Sequence, residues 1–296
     1  MSTSTRKPTK QDTKGGQSWL WLTIGLVLLV ALATWLLVFR NTSGGALGQV
    51  SGDLHALQFA PGDRILYGQH GGLQISNDGG GTWTAPSSTG DAMAIASSPE
   101  TPEVIYQAGH DLFLKSTDGG ETWTEPGFGN LPGTDVHGFA VAPETGTLYA
   151  NIAGQGLYRS PEGDNSWEFV SSATAGAMAI AAGPGTPPVL YAATMDQGVI
   201  RSDDGGQSGQ TWQQTATAPG LSMSGLYVHP ESGNVYATGQ GGVYKSTDRG
   251  ESWTALGPDE PMALVAAETE EEAQLVAVAQ QGQVYRSSDG GQTWVK

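Results

Sequence analysis

The stretch that decides the fold is Ser116-Thr117-Asp118-Gly119-Gly120-Glu121-Thr122-Trp123. It returns nearly intact three times, over Ser76–Trp83, Ser246–Trp253 and Ser287–Trp294. Two further copies are altered. Ser160 to Trp167 has Glu162 where Asp is expected, and Ser202 to Trp212 carries three extra residues after Asp204-Gly205-Gly206. The six closing tryptophans are Trp83, Trp123, Trp167, Trp212, Trp253 and Trp294, spaced 40, 44, 45, 41 and 41 residues apart. A period of this length holds one four-stranded sheet, and such units set radially make a propeller.

Between the boxes the pattern is that of short strands. Met93-Ala94-Ile95-Ala96 stops at Pro99, Val104–Ala108 turns at Gly109-His110, and Leu112–Lys115 runs into the box. The fifth repeat follows the same plan with Leu226–Val228, Asn234–Ala237 and Val243–Lys245. Helical periodicity is absent after residue 40. The expected class is therefore all-β, a six-bladed propeller of four-stranded blades over 47–296, preceded by one transmembrane helix. The sixth box ends near residue 296, so residues 46–51 are expected to supply the last blade's fourth strand and close the ring. Closure removes sheet edges that would otherwise pair with other chains.

The N-terminal part is of another kind. Residues 1–18 are polar and read as a disordered basic tail. Residues 19–39 run for 21 positions without a charge, enough to span roughly 31 Å as a helix. Trp19, Trp21 and Trp35 lie toward its ends, where indole rings favour the membrane interface. Leu36-Leu37-Val38-Phe39-Arg40 is a poor cleavage site, so an uncleaved anchor is expected rather than a signal peptide. Four basic residues precede the run and one follows it, which places the N-terminus in the cytoplasm and the remainder outside. Residues 40–46 read as a linker.

Charge narrows the function classes. Of the net charge of −16, residues 1–40 carry +4, from five basic residues against Asp12, which leaves −20 on the remainder. Such a domain repels phosphate backbones, so no nucleic acid partner is expected. The absence of cysteine excludes thiolate metal sites and a Cys nucleophile. No cofactor motif stands out.

The pattern Ser-x-Asp-x-Gly-x-Thr-Trp resembles the Asp-box, or BNR repeat, and the resemblance covers all six repeats. In that family the box is a tight turn between the third and fourth strands, on the face opposite the usual ligand site. Asp78, Asp118, Asp204, Asp248 and Asp289 are thus expected to be structural, their oxygens accepting turn N–H groups. The tryptophans are expected between blades with N–H at a polar edge. Asp-box propellers include sialidase-like and other glycoside hydrolases, sortilin-type receptors and photosystem II assembly-factor-like proteins. The sialidase-like enzymes need three arginines around a carboxylate. Here Arg64-Ile65-Leu66 replaces their Arg-Ile-Pro, and Arg159, Arg201, Arg249 and Arg286 sit at or beside boxes, so the resemblance does not extend to that triad. Xyloglucanase-like relatives place two carboxylates across a cleft between two propellers.

A ligand face is expected at the other end. Aligning the repeats on Pro61, Pro99, Pro143, Pro184, Pro230 and Glu268 gives a column six residues earlier: His55, Met93, His137, Met178, Ser224 and Met262. Two positions further back stand Asp53, Asp91, Asp135, Gly176, Ser222 and Glu260, and the next turn adds His70 and His110. Imidazole and thioether donors suit copper. The blander reading, Met and His filling a narrow channel neck without converging, is preferred. Asp53, Asp91, Asp135 and Glu260 are also weak candidates for a glycosidase carboxylate pair. The expected function is a membrane-anchored binding or assembly module with a protein or glycan ligand. A glycoside hydrolase of sialidase-like ancestry and extracytoplasmic copper binding are the alternatives, and enzymatic activity is left open.

Overall fold

The computed structural model describes residues 47–161, 165–207, 211–216 and 221–296, with backbone alone for 221–224. The tail, the expected membrane helix at 19–39 and the linker at 40–46 lie outside these residues. The described chain belongs to one compact unit, Ala46–Lys296.

It is built of antiparallel sheets. The first contains β1 (Ala56–Ala60), β2 (Arg64–Gln69) and β3 (Gly72–Ser76). The second contains β4 (Ala94–Ser98), β5 (Thr101–Gly109) and β6 (Leu112–Ser116). The third runs β7 (Val136–Val141), β8 (Leu148–Ile152), β9 (Gly156–Ser160), β10 (Glu168–Ser171). The fourth runs β11 (Ala177–Ala182), β12 (Leu190–Thr194), β13 (Gly198–Ser202), β14 (Gln213–Gln214). The fifth runs β15 (Leu221–Val228), β16 (Val235–Gly239), β17 (Gly242–Ser246), β18 (Thr254–Gly257). The sixth contains β19 (Met262–Ala267), β20 (Leu275–Ala279) and β21 (Val284–Ser287). The first strands touch in cyclic order, β1, β4, β7, β11, β15, β19 and again β1.

The expected four strands per sheet hold for the third, fourth and fifth sheets and not for the others. In the first two, the chain after the box makes only a short contact: Thr84 N–H donates to Ile75 O at 2.9 Å, and Thr124 bridges Lys115. Pro86 and Pro126 follow within two residues, and a residue without an N–H cannot extend the ladder. The outer line of the sixth sheet comes from two distant segments. Val295 bridges Arg286, while Gln49 bridges Gln283 and Val50 N–H donates to Gly282 O at 2.9 Å.

The box is a closed hydrogen-bond lattice. Ser116 Oγ donates to Asp118 Oδ1 at 2.7 Å and accepts from Gly120 N–H at 2.8 Å. Asp118 then accepts from Thr122 N–H at 2.9 Å and Thr122 Oγ1 at 2.5 Å. Asp78, Asp248 and Asp289 repeat the set. Asp204 keeps it despite the insertion, because Thr211 Oγ1 reaches back to it at 2.8 Å. These bonds hold Asp118, Asp248 and Asp289 at a pKa of about 2, with the hydroxyl and N–H of Thr122, Ser252 and Thr293 the leading causes.

Each box tryptophan packs into a core between its own sheet and the preceding one. Trp123 meets Leu66, Leu73 and Ile105; Trp167 meets Phe113, Phe139 and Leu148; Trp294 meets Tyr236 and Val243. The expected polar edge is found for half of them. Trp167, Trp253 and Trp294 donate to Asn165 Oδ1, Ala216 O and Leu256 O, while the Nε1 groups of Trp83, Trp123 and Trp212 are buried without a hydrogen-bond partner. Burial of the large ring dominates there.

Candidate functional site

The first strands of all six sheets line a cavity of about 130 Å³. His55, Met93 and His137 stand at one end of it, and Pro99, Pro143, Pro230 and Thr269 line the rest of its length with the strands between. The segments leading into β4 and β7 lean on the preceding sheet's turn: Ala92 N–H donates to Gln69 O and Asp111 N–H to Thr134 O, each at 3.0 Å. Asp135 is also held by its own sheet, accepting from Ala153 N–H at 3.0 Å. His110 also bridges Asp135 through the backbone.

This stitching needs close backbone approach. A Cβ on Gly109 would lie 1.7 Å from Asp91 O, and one on Gly68 would lie 2.5 Å from Ala92 O. Glycine at both places lets the Asp91 segment sit against two neighbouring turns, those carrying His70 and His110. From sequence Gly109 is marked only as a turn residue, and Gly68, one position before the end of β2, is not singled out.

The result is an arc of alternating carboxylates and imidazoles drawn from three sheets. His70 Nδ1 contacts Asp53 Oδ2, and its Nε2 lies 3.3 Å from Asp91 Oδ2. His110 Nδ1 lies 2.5 Å from Asp91 Oδ2, and its Nε2 lies 3.1 Å from Asp135 Oδ1. His137 Nε2 is 3.1 Å from that same Asp135 oxygen and 3.3 Å from His110 Nε2. His55 Nε2 sits 3.7 Å from Asp91 Oδ1, edge-on to the His70 ring. Burial pushes the His55 imidazole below its ordinary pKa, and the Asp91 charge opposes that shift. Asp91 is the buried centre, with its side chain 10 % exposed, against 67 % for Asp53 and 52 % for Asp135. Neither Asp91 oxygen has a well-directed hydrogen-bond partner. Donors of the type Asp53/His55/His70, His70/Asp91/His110 and His110/Asp135/His137 are each close enough to share one cation.

The family model described as the DUF6242 beta propeller domain matches residues 189–296. No curated protein matches the chain. Among solved structures, the GH74 xyloglucanase from Xanthomonas campestris is similar at a TM-score of 0.56 and 20 % identity, over 84 % of this chain and 46 % of that one. A gluconolactonase from the same organism is similar at 0.63 and 10 %, over 81 % and 87 %. YCF48, solved bound to D1 peptide, is similar at 0.50 and 18 %, over 84 % and 83 %. The chain is a β-propeller. The likenesses, all at 20 % identity or less, are likenesses of fold. This chain spans about half the length of the xyloglucanase, 46 %.

The propeller does not bring every expected face residue to the arc. Met262 is fully buried in the core beside Tyr236 and Leu275. The alignment on Glu268 is one residue out. Glu268 N–H donates to Gln274 O as Ala142 and Gly183, the residues before Pro143 and Pro184, donate across their own turns. Thr269 therefore stands where the prolines stand, and it lines the cavity with them. The column position is Ala263, and a one-residue slip turns Met262 to the other face of the strand. Glu260 consequently leaves the acidic arc and accepts a hydrogen bond from the Tyr285 hydroxyl. Met178 is half-buried on β11, at a register shift between Ala177 and Ala179. Ser224 lies on β15, where side chains 221–224 are outside the described residues. Met93 lines the cavity beside His55 and His137. The expectation of a ring without convergence is corrected for the histidines. Stagger between neighbouring sheets brings His55, His70, His110 and His137 onto two shared carboxylates, Asp91 and Asp135, with Asp53 on His70 alone. The arginines are engaged elsewhere: Arg159 pairs with Glu168 at 3.0 Å and Arg201 with Asp203 at 3.1 Å.

Proposed function

We propose that this chain is a membrane-anchored, extracytoplasmic binding module, a six-bladed propeller that takes its ligand at the face bearing the His/Asp arc. The observation that carries this reading is the arc itself. Four histidines and three aspartates from three sheets meet at one end of the central cavity, and the boxes at the other end are filled by their own turn bonds. Six blades agree with the cyclic contact of the first strands, and closure agrees with the bridges of Gln49 and Val295 along the sixth sheet. The uncharged run 19–39 and its basic flank support the anchor. A protein ligand is favoured because a similar propeller, YCF48, binds a peptide. The carboxylates that hydrolysis would require free are each engaged by histidine here.

Because the chain has no cysteine, one experiment tests both location and face. Single cysteines are introduced as Gly71→Cys, beside His70, and Gln292→Cys, in the sixth box. A membrane-impermeant thiol-reactive photo-crosslinker is then added to intact cells. Labelling at both positions is expected, with a discrete crosslinked partner from Gly71→Cys alone. Labelling only after lysis overturns the topology, and equal crosslinking from both positions overturns the face.

A further inference from the structure

We propose that His110 Nε2, Asp135 Oδ1 and His137 Nε2 hold a divalent transition metal of the zinc class, with Asp91 orienting His110. The site shares the face of the binding reading but needs no partner, and it stands independently of whether one exists.

The first argument is geometric. The three donor atoms form a nearly equilateral triangle with sides of 3.1, 3.1 and 3.3 Å. A tetrahedral ion with ligands at about 2.0–2.1 Å has donor–donor edges of about 3.3 Å. The triangle thus has the dimensions of one face of a tetrahedral site, and the fourth vertex is left for water or a ligand atom. Asp135 and His110 are about half exposed, so the ion has a path from solvent.

The second argument counts protons. A neutral imidazole carries one N–H. His110 has a carboxylate oxygen at each nitrogen, Asp91 Oδ2 at 2.5 Å from Nδ1 and Asp135 Oδ1 at 3.1 Å from Nε2. With its proton on Nδ1, the Nε2 lone pair faces both an anionic oxygen and the Nε2 of His137. When His137 likewise carries its proton on Nδ1, a cation in that gap turns three facing lone pairs into one coordination shell. The tautomer this requires, N–H on Nδ1 and lone pair on Nε2, is the one favoured by the Asp91 charge 2.5 Å from Nδ1. A carboxylate behind a metal-bound histidine is the usual device for fixing ring orientation and raising ligand basicity.

The third argument comes from Asp91, independently of the triangle. Its carboxylate is nine-tenths buried and lacks a well-directed hydrogen bond. A buried carboxylate without compensation is costly. An imidazole polarised by a metal on its far nitrogen supplies the compensating positive charge next to it. The donor set, two nitrogens and one oxygen without sulfur, selects zinc-class divalent ions over the copper–thioether site suggested by the Met column. Asp91 is a positioning residue here, since it touches His110 and not the ion.

The test uses the full-length chain in detergent, stripped of metal by chelation and titrated with Co²⁺ and then Zn²⁺, with no partner added. One Co²⁺ per chain is expected, with the intense visible absorption of tetrahedral coordination, bleached as Zn²⁺ displaces it. Asp91→Asn should weaken Zn²⁺ binding about 10–100-fold while the metal-free protein melts unchanged, and Asp91→Glu should restore part of the loss. Asp135→Asn and His137→Ala should each weaken it further. The exposed Asp135 tolerates substitution even if the buried Asp91 variant fails to fold. Absence of a tetrahedral cobalt spectrum, equal competition by Mg²⁺ or Ca²⁺, or unchanged affinity in Asp135→Asn overturns the site.

Discussion

Glu272 shows how much one side chain can hold. It lies in the turn between β19 and β20 and accepts three hydrogen bonds on a single oxygen, from Tyr236 Oη at 2.6 Å, Asn234 Nδ2 at 2.7 Å and Lys245 Nζ at 2.9 Å. All three donors belong to the fifth sheet, so Glu272 ties the fifth sheet to the sixth. Burial works to raise its pKa, but the bonds from Tyr236, Asn234 and Lys245 outweigh it and hold it at about 2. Removing the carboxylate leaves a buried hydroxyl and an ammonium unpaired. Glu272→Ala is expected to cost about 2 kcal/mol, measured by denaturant unfolding. The sign of its pH dependence follows from the depressed pKa. The stabilisation is complete above the unfolded value of about 4.3 and fades as pH falls toward 2. Wild type and Glu272→Ala should therefore converge in Tm across that interval, and a constant gap contradicts the ion pair. None of this was legible in the sequence, because Glu272 lies in a run of acids, Glu270-Glu271-Glu272, that reads as a solvated turn.

At the scale of the element, the box is a self-contained unit. Its lattice lies within eight residues, from Ser116 to Trp123, and uses no group from another sheet for its carboxylate. That is why its structural role was readable from the pattern alone. Replacing Asp118 by Ala strips two oxygens that accept from Ser116, Thr122 and a backbone N–H. Its Tm is expected to fall by about 2–5 °C, the scale for a single local contact set in a domain of this size. The same change at Glu121, whose side chain carries no box bond, should leave Tm unaltered. The depressed pKa of Asp118, Asp248 and Asp289 makes the boxes acid-sensitive together. Their folded values of about 2 lie below the ordinary carboxylate value, so their contribution is whole above about pH 4 and is lost as pH drops through 2. Scanning Tm between pH 5 and pH 2 for wild type and Asp118→Ala checks this. The difference between them should shrink as acid protonates Asp118 itself in the wild type.

For the whole molecule, the decisive contacts are those of Gly48 to Val50. Gly48 N–H donates to Gly80 O in the first box at 2.8 Å, and Val284 N–H donates to Gly48 O at 3.3 Å in the sixth sheet. Val50 is buried among Leu264, Val276 and Val284 together with Ile65 and Tyr67. These few residues therefore join the first sheet to the last. Deleting residues 47–50 is expected to destabilise the whole unit and lower its single unfolding transition, read by circular dichroism. An unchanged Tm rules out closure through this segment. A six-residue deletion in the loop at Glu268–Gln274 is no control, because it removes Glu272.

The sequence by itself determined the β class, the repeat, the box turns and the packing of the box tryptophans between sheets, since all of these follow from residues close in the chain and from a period of 40–45 positions. It also placed His55, His70, His110 and His137 on one face, because His55 and His137 hold one repeat position and His70 and His110 hold another on the same side. Tertiary structure alone decided that they meet. Their convergence depends on how far one sheet is staggered against the next, which Gly68 permits by omitting a Cβ against Ala92, and on single-residue register shifts such as the one that sends Met262 inward and leaves Ala263 in the column. Strand pattern has a period of two and cannot register a slip of one between sheets that are forty residues apart. The pairings of His70 with Asp91 and of His110 with Asp135 are such relations between sheets, fixed by packing rather than by spacing.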